Sequence, residues 1–415
     1  MSGYVIIGNG VAAVGCIEGI RSVDTDTKIT VISAEEHPVY CRPLISYYLE
    51  GKTSLDKMNY RSPDFYSANN CDVVYGRKAL KIEADNKTLM LDDGTQKSYD
   101  ALCIATGSSP FVPMFSGLET VRNKFTFISL DDALSLEQAI DKNSRVLIVG
   151  AGLIGLKCAE GICGRVAKIT VCDLATRVLS SILDNECAAF MQKRLEEYGI
   201  SFMLGDTVKA FDGNCAQMNS GQQVDFDVLV LAVGVRANTA LMSELGGEVN
   251  RGIIVNDKMQ TSIEDIYAAG DCSEGNDISL GSKRVLAILP NAYMQGYCAG
   301  TNMAGKEQVF DNAIPMNSIG FFGLHAMSAG SYPTKEDGAT IYEEKYKNGI
   351  KRFFIKDGLL KGYIIIGNVE RAGIYTSLIR QKTPIDTLNI DLLKSYPSLA
   401  MFSDDIRKNK LVGVM

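Results

Sequence analysis

The sequence predicts an α/β fold built on two Rossmann-like units. Two observations carry that prediction. An apolar strand runs into a glycine-rich turn and an apolar helix at the start of the chain, and the same succession returns about 140 residues later. Each time a second strand follows and ends on an acidic residue. The length of 415 residues agrees with two or three domains at roughly 150 residues each.

The first unit begins with the strand Tyr4-Val5-Ile6-Ile7, followed at once by Gly8-Asn9-Gly10-Val11-Ala12-Ala13 and a helix through Ile20. The strand Lys28-Ile29-Thr30-Val31-Ile32 then ends near Glu35. This is G-x-G-x-x-A inside a βαβ unit, a dinucleotide-binding fingerprint. Gly8 makes the tight turn, Gly10 lets the backbone approach a pyrophosphate, and small Ala13 lets helix and strand pack closely. The free N–H groups of the helix N-terminus face the phosphates. Glu35 is expected to accept from the adenosine ribose hydroxyls.

In the second unit the strand Arg145-Val146-Leu147-Ile148-Val149 precedes Gly150-Ala151-Gly152-Leu153-Ile154-Gly155, a full G-x-G-x-x-G. After its helix, Lys168-Ile169-Thr170-Val171-Cys172 ends at Asp173. An acid there repels a 2′-phosphate and so favours NADH over NADPH, while Arg177 four residues on leaves NADPH open. Two dinucleotide sites in one chain imply electron transfer between a nicotinamide and a flavin.

Composition narrows the alternatives. Hydrophobic residues at 46% and charged residues at 22% are a globular balance. With 42 basic against 49 acidic side chains, the net charge of -7 argues against nucleic-acid partners. Two histidines leave no multi-histidine metal centre, so no metal is expected. Glycine at 39 and proline at 10 suggest tight turns that serve ligands. Eleven cysteines are scattered without any C-x-x-C, which reads as small apolar packing in a reducing, cytoplasmic setting. No apolar run nears the roughly 18–20 residues of a membrane span, and Met1-Ser2-Gly3 leads straight into a strand, unlike a signal peptide.

Over nearly its full length the chain resembles the flavin-dependent pyridine nucleotide–disulfide oxidoreductase superfamily. The resemblance rests on the two fingerprints, on Ala105-Thr106-Gly107 after Ala101-Leu102-Cys103-Ile104, on Ala232-Val233-Gly234, and on Ile266-Tyr267-Ala268-Ala269-Gly270-Asp271. It implies FAD at the first fingerprint and NAD at the second, with Asp271 on the FAD ribityl and pyrophosphate. It also implies a discontinuous FAD domain, residues 1–113 and 242–318, an inserted NAD domain, 114–241, and a small α+β C-terminal domain, 319–415. The cofactor-binding set is Gly8, Gly10, Ala13, Glu35, Arg42, Pro43, Ala79, Ala105, Thr106, Gly107, Gly150, Gly152, Ile154, Gly155, Asp173, Gly234, Gly270, Asp271, Leu289 and Pro290.

Departures from the family pattern select a branch. The dithiol branch carries C-x-x-x-x-C in the FAD domain; here that spacing falls on Cys158 and Cys163, in the NAD fingerprint helix, and His325 has no Glu nearby. A single-cysteine branch reduces peroxide, oxygen or polysulfide. Cys41 lies in the right loop but two residues before the expected place, with Arg42 beside it to lower its pKa. The third branch passes electrons from flavin to a protein and includes rubredoxin and ferredoxin reductases and the flavin modules of NADH-dependent nitrite reductases. Tyr40-Cys41-Arg42-Pro43-Leu44-Ile45-Ser46 is similar to its loop, and Asp357-Gly358-Leu359-Leu360-Lys361-Gly362-Tyr363 with Ile366-Gly367-Asn368 is similar to its C-terminal domain.

In many relatives a Lys and a Glu pair beside the reactive nitrogen of the flavin; their positions here hold Tyr47 and Lys157. Lys157 is expected to supply positive charge there. Pro290 starts a helix whose positive end would face the flavin pyrimidine. Leu289 stands where oxygenase-serving relatives often carry Trp.

The expected function is transfer of a hydride from NADH to FAD, then of electrons to a small electron carrier or an iron–sulfur reductase subunit. Two other readings stay open: an NADH oxidase or peroxide or polysulfide reductase using Cys41, and a flavin-bearing subunit or NADH sensor of a larger complex. Self-association is left open. The lysine-rich stretch Glu343–Lys361 is a candidate docking site for an acidic carrier, or else a solvated hairpin face. The tail from Thr383 either packs on the C-terminal domain or mediates assembly.

Overall fold

Strands that are apolar on both faces belong inside a parallel sheet covered on both sides, and Val5, Ile6, Ile7, Ile29, Val31 and Ile32 are all buried. In the computed structural model, which describes residues 3–412 (only the backbone for 409–412), Gly3–Ile7 is central. It lies between Ile29–Ile32 and Gln96–Ile104, parallel to both, with Ile6 in register with Val31 on one side and Cys103 on the other. Cys71–Val74 extends one edge. Ile266–Ala268, from far along the chain, pairs parallel with Gln96–Ile104. Thr88–Leu91 and Ala79–Glu83 complete the seven strands as an antiparallel extension.

A second parallel sheet runs in the order Ile200–Leu204, Lys168–Asp173, Arg145–Val149, Val228–Leu231, Lys124–Phe125. The two glycine loops follow the central strands of these two sheets. In open α/β sheets that is where strand order reverses and a crevice opens at the carboxyl ends.

Helices Val11–Arg21 and Leu289–Met303 cover the first sheet and touch through glycine on both sides. A Cβ on Gly15 or Gly19 would lie 2.2 Å from the carbonyl oxygen of Tyr293 or Tyr297. One on Gly296 or Gly300 would lie 2.0 Å from that of Ala12 or Cys16. Two glycines four apart on each helix therefore let the backbones meet. The Glu18 carboxylate pins the pair, accepting from Arg61 Nε at 2.7 Å and the Tyr293 hydroxyl at 2.5 Å. Burial alone would raise the Glu18 pKa, but Arg61 and Tyr293 hold it below its ordinary value.

The chain divides into two compact units. One comprises the residues through Ser180 with Leu195–Asn276 and Ser282–Asp311; the other comprises Ser181–Arg194, Asp277–Gly281 and the residues from Asn312 on. The second unit holds an antiparallel sheet ordered Met316–Phe321, Leu324–Gly330, Leu359–Ile366, Gly349–Lys356, Thr340–Tyr346. Helix Ala372–Arg380 contributes Tyr375 and Leu378 to a core with Phe353, Tyr363 and Ile365. Leu388, Leu393, Met401 and Phe402 of the tail join the same core, and Tyr375 donates to the Leu393 carbonyl at 2.9 Å. The tail thus packs on its own unit as far as it is described. Met1, Ser2 and residues 413–415 lie outside the described residues. Among the described residues no helix is long and apolar enough to cross a membrane.

Candidate functional site

A cleft of about 510 Å³ opens at the carboxyl ends of the first sheet. Gly8 and Gly10, Glu35, Ala105-Thr106-Gly107, Gly270-Asp271 and Leu289 line it, each just after a strand or at a helix start, and Arg42 and Ala79 line it from the intervening loops. Gly8 has φ +113°, and a Cβ there would lie 2.1 Å from the Ala105 carbonyl oxygen, so the turn demands glycine. Gly10 caps helix Val11–Arg21 without a side-chain cap or an acid in the first turn, and nothing lies within 4 Å of where its Cβ would be. Free amide donors facing an open cradle suit a phosphate. Ala13 is fully buried behind the loop. Pro290 sits in the first turn of Leu289–Met303, and Pro43 is the N-cap of helix Leu44–Leu49; neither lines the cleft.

The charges of the cleft are interlocked. Glu35 accepts from the Tyr40 hydroxyl at 2.7 Å on one oxygen and from Arg42 on the other. Tyr40 in turn accepts from the Leu130 amide at 2.8 Å, and Arg42 donates to the Ile128 carbonyl at 3.0 Å. Glu35 is therefore an oriented acceptor, not a free carboxylate. Burial pushes the Asp271 carboxyl above its ordinary value, and the Ser108 hydroxyl at 3.2 Å and the Arg42 charge moderate the rise. The sequence assigned no role to Tyr40, although it opens the recognised loop motif, or to Ser108, which follows Ala105-Thr106-Gly107.

The second loop is built alike. Gly150 has φ +118° and would place a Cβ 2.2 Å from the Ala232 carbonyl oxygen, as Gly8 does with Ala105. Gly152 caps helix Leu153–Ile162 with the same open cradle, Ile154 is half-buried in its first turn, and Gly155 packs on the Gly150 carbonyl. Asp173 accepts from the amides of Ala151 at 2.7 Å and Ala175 at 2.8 Å, which fixes the acid against the glycine loop. The Gly234 carbonyl accepts from the Phe111 amide at 2.9 Å. Where the chain leaves and re-enters the first sheet it is stitched: Asn238 donates to the Thr106 carbonyl at 2.8 Å and Thr106 donates back at 3.0 Å.

Helices Leu44–Leu49 and Leu153–Ile162 meet at Gly161, where a Cβ would lie 2.8 Å from the Ser46 carbonyl oxygen. Arg165 donates to the Leu49 carbonyl at 3.1 Å and to Glu137 at 2.7 Å, and Tyr48 donates to the same carboxylate at 2.6 Å. Lys157 does not point to open solvent. Its side chain is 17% exposed, its ammonium lies 2.6 Å from Glu160, itself 7% exposed, and it stands 5.3 Å from the centroid of the Tyr47 ring. Glu160 was missed by sequence reading; its signal was the i, i+3 spacing from Lys157.

Some expectations are corrected. Arg42 does not lower the Cys41 pKa: its guanidinium is spent on Glu35 and Ile128, and burial raises the Cys41 thiol. Cys158 is buried, but Cys163 is only half-buried, as are Cys41 and Cys215; the other cysteines are buried and none is paired. The lysine-rich stretch is largely engaged within its own unit. Arg352, 12% exposed, pairs with Asp184, Glu186 and Glu343, Lys345 with Glu186, Lys351 with the Lys394 carbonyl and Lys361 with Asp357. Among the described residues no cluster fit for a metal ion is present.

Comparison with known proteins agrees with this geometry. Residues 2–296 match the pyridine nucleotide-disulphide oxidoreductase family, and residues 315–383 match the rubredoxin NAD+ reductase C-terminal domain. The chain is 33% identical over 93% of both lengths to the epsilon subunit of NADH-dependent phenylglyoxylate dehydrogenase from Aromatoleum evansii. It is 30% identical to the nitrite reductase [NAD(P)H] of Bacillus subtilis over 94% of this chain, which spans about half (49%) of that protein. Putidaredoxin reductase, in its covalent complex with putidaredoxin, shares the fold with a TM-score of 0.85 at 23% identity, over 99% of this chain and 98% of that one. Two glycine-loop sites on two parallel sheets, followed by the C-terminal sheet, fit a flavin and a pyridine nucleotide: the chain belongs to the pyridine nucleotide-disulphide oxidoreductase family.

Proposed function

We propose that the chain is an FAD-dependent NADH oxidoreductase that passes a hydride from NADH to its bound FAD and then electrons to a small redox protein or to an iron–sulfur partner subunit. The observation that carries this reading is the duplicated cradle: Gly8 against Ala105 and Gly150 against Ala232, each beside an uncapped helix N-terminus. Bound flavin would supply hydride acceptance and stepwise electron release.

The chain's part is placement. Gly10 and the first-turn amides of Val11–Arg21 would receive the FAD pyrophosphate, in a cleft that Glu35, Arg42, Asp271 and Leu289 also line. Gly152 and the Leu153–Ile162 amides would receive the second dinucleotide. Asp173, held against the loop, favours a ribose without a 2′-phosphate. Lys157 and Tyr47 stand where helix Leu153–Ile162 of the second site meets helix Leu44–Leu49, which starts beside Arg42. The FAD domain of residues 1–113 and 242–318 and the inserted NAD domain of 114–241 belong to this reading, as does a cytoplasmic setting, supported by the unpaired cysteines.

A second reading, a flavin-bearing subunit of a larger complex, is favoured by the end-to-end similarity to a protein named as a subunit. The Cys41 oxidase or peroxide reductase reading has less support, since partial burial raises the pKa of its thiol.

The test is anaerobic titration of the purified, FAD-loaded protein with NADH and, separately, NADPH, followed by a panel of acceptors. Bleaching of the yellow colour by NADH at concentrations at least tenfold below those of NADPH is expected. Fast reduction of rubredoxin or ferredoxin supports the first reading, and turnover only with a co-purifying partner supports the second. Failure to retain flavin overturns both.

A further inference from the structure

The joint between helices Leu44–Leu49 and Leu153–Ile162 holds more charge than packing requires. Tyr47 carries two ammonium groups near its ring, Lys157 at 5.3 Å and Lys52 at 5.9 Å from the centroid. Lys52 is paired with Glu50 at 2.5 Å on the exposed side. Lys157 is mostly buried and paired with the more deeply buried Glu160.

Burying an ion pair seldom stabilises a fold more than apolar residues of the same volume would, so its place in the fold matters. Leu153–Ile162 starts at the second glycine loop, and Leu44–Leu49 starts beside Arg42, which lines the first cleft. Gly161 brings these two helices together, so the pair sits between the second glycine loop and the loop that carries Arg42.

We propose that Glu160 is a positioning residue: it holds the Lys157 ammonium against Tyr47 and offsets its charge, and so sets the electrostatic field felt between the two dinucleotide sites. This deepens the functional reading above and rests on it. A charge in a partly desolvated joint acts at an effective dielectric of about 20, where a unit charge roughly 10 Å away changes an equilibrium about tenfold.

The test is the reduction equilibrium of bound flavin against a reference dye, driven by an enzymatic electron source other than NADH. Wild type is compared with Glu160→Gln, Lys157→Met and the double variant. Glu160→Gln takes one negative charge from the ammonium, so the equilibrium shifts about tenfold toward reduced flavin, or about 30 mV for a two-electron couple. Lys157→Met shifts it the opposite way. The two charges are opposite and adjacent, so adding Glu160→Gln to Lys157→Met returns the equilibrium to within about threefold of wild type. If Glu160→Gln does not fold, Glu160→Asp takes its place, with a smaller shift in the same direction.

A Glu160→Gln equilibrium within twofold of wild type overturns the proposal, and so does a double variant that stays with Lys157→Met. Because the dye equilibrium needs no NADH, a wild type that equilibrates with the dye but ignores NADH strikes the functional reading alone.

Discussion

Gly296→Ala tests how the cofactor cleft is held. The new methyl carbon would lie 2.0 Å from the Ala12 carbonyl oxygen, 2.8 Å from its carbon and 3.0 Å from the Cys16 nitrogen. All three are backbone atoms, so no side chain can swing aside. Restoring ordinary contact means moving the helices apart by about 1.4 Å, which also opens the seats of Gly15, Gly19 and Gly300. Overpacking of this kind costs about 1–3 kcal/mol, and the four-glycine seam places this case at the upper end. Alanine returns about 1 kcal/mol of helix propensity. The expected net loss is about 2 kcal/mol, roughly a thirtyfold fall in the folding equilibrium. Ala12 and Leu289 line the cleft, so FAD affinity should fall at least tenfold as well. Urea unfolding of the flavin-free protein and fluorescence titration with FAD measure the two effects. Gly373→Ala is the control: it lies in helix Ala372–Arg380 with nothing within 4 Å of its Cβ position, and should be neutral or stabilising by up to about 1 kcal/mol. If Gly296→Ala proves as harmless as Gly373→Ala, the seam does not set the spacing and the reasoning fails.

Cys41→Ser should keep NADH-dependent acceptor reduction within twofold, since burial holds the thiol protonated; a tenfold loss in steady-state rate would revive the single-cysteine chemistry. Arg352→Met removes the cation shared by Asp184, Glu186 and Glu343 and should cost about 1–2 kcal/mol in urea unfolding, since the three carboxylates are partly exposed. The Tyr48–Glu137–Arg165 latch should weaken in acid. Burial alone would raise the Glu137 pKa, but Tyr48 and Arg165 hold it below its ordinary 4.5. The stabilisation is therefore complete above about 4.5 and is lost as pH falls through the lower folded value. Unfolding curves of wild type and Glu137→Gln should converge as pH falls below about 4.5, and a gap that widened instead would contradict this sign.

The glycine loops were legible in the sequence because backbone geometry leaves them almost no choice. A φ near +115° against a neighbouring carbonyl admits glycine only, so Gly8 and Gly150 announce themselves beside apolar strands. The strand around Ile266–Ala268 was placed by its motif. What stayed hidden depends on contacts across long chain separations. Nothing local in Gly15-x-x-x-Gly19 says that Gly296-x-x-x-Gly300 lies against it, although the small-residue spacing was there to be read. Tyr40 and Ser108 became site residues only when Glu35 and Asp271 were brought to them. Arg42 shows the opposite failure: adjacency in sequence suggested that it would serve Cys41, yet its side chain reaches Glu35 and Ile128.

The glycine seam also bears on how the chain is made. Helix Val11–Arg21 and its partner Leu289–Met303 are separated in synthesis by the whole second sheet. At roughly 5–20 residues per second, the first half of the cleft waits some tens of seconds for the helix that closes it. Until then Gln96–Ile104 lacks its last neighbour, Ile266–Ala268, and presents an open strand edge. The second sheet has no such wait, since all five of its strands are consecutive in the chain apart from the three-stranded meander within it. A ribosome-bound chain stalled near Asn276, far enough on for Val228–Leu231 to have left the exit tunnel but not Ile266–Ala268, should therefore protect the second glycine loop from protease while the first remains cleavable and flavin-free.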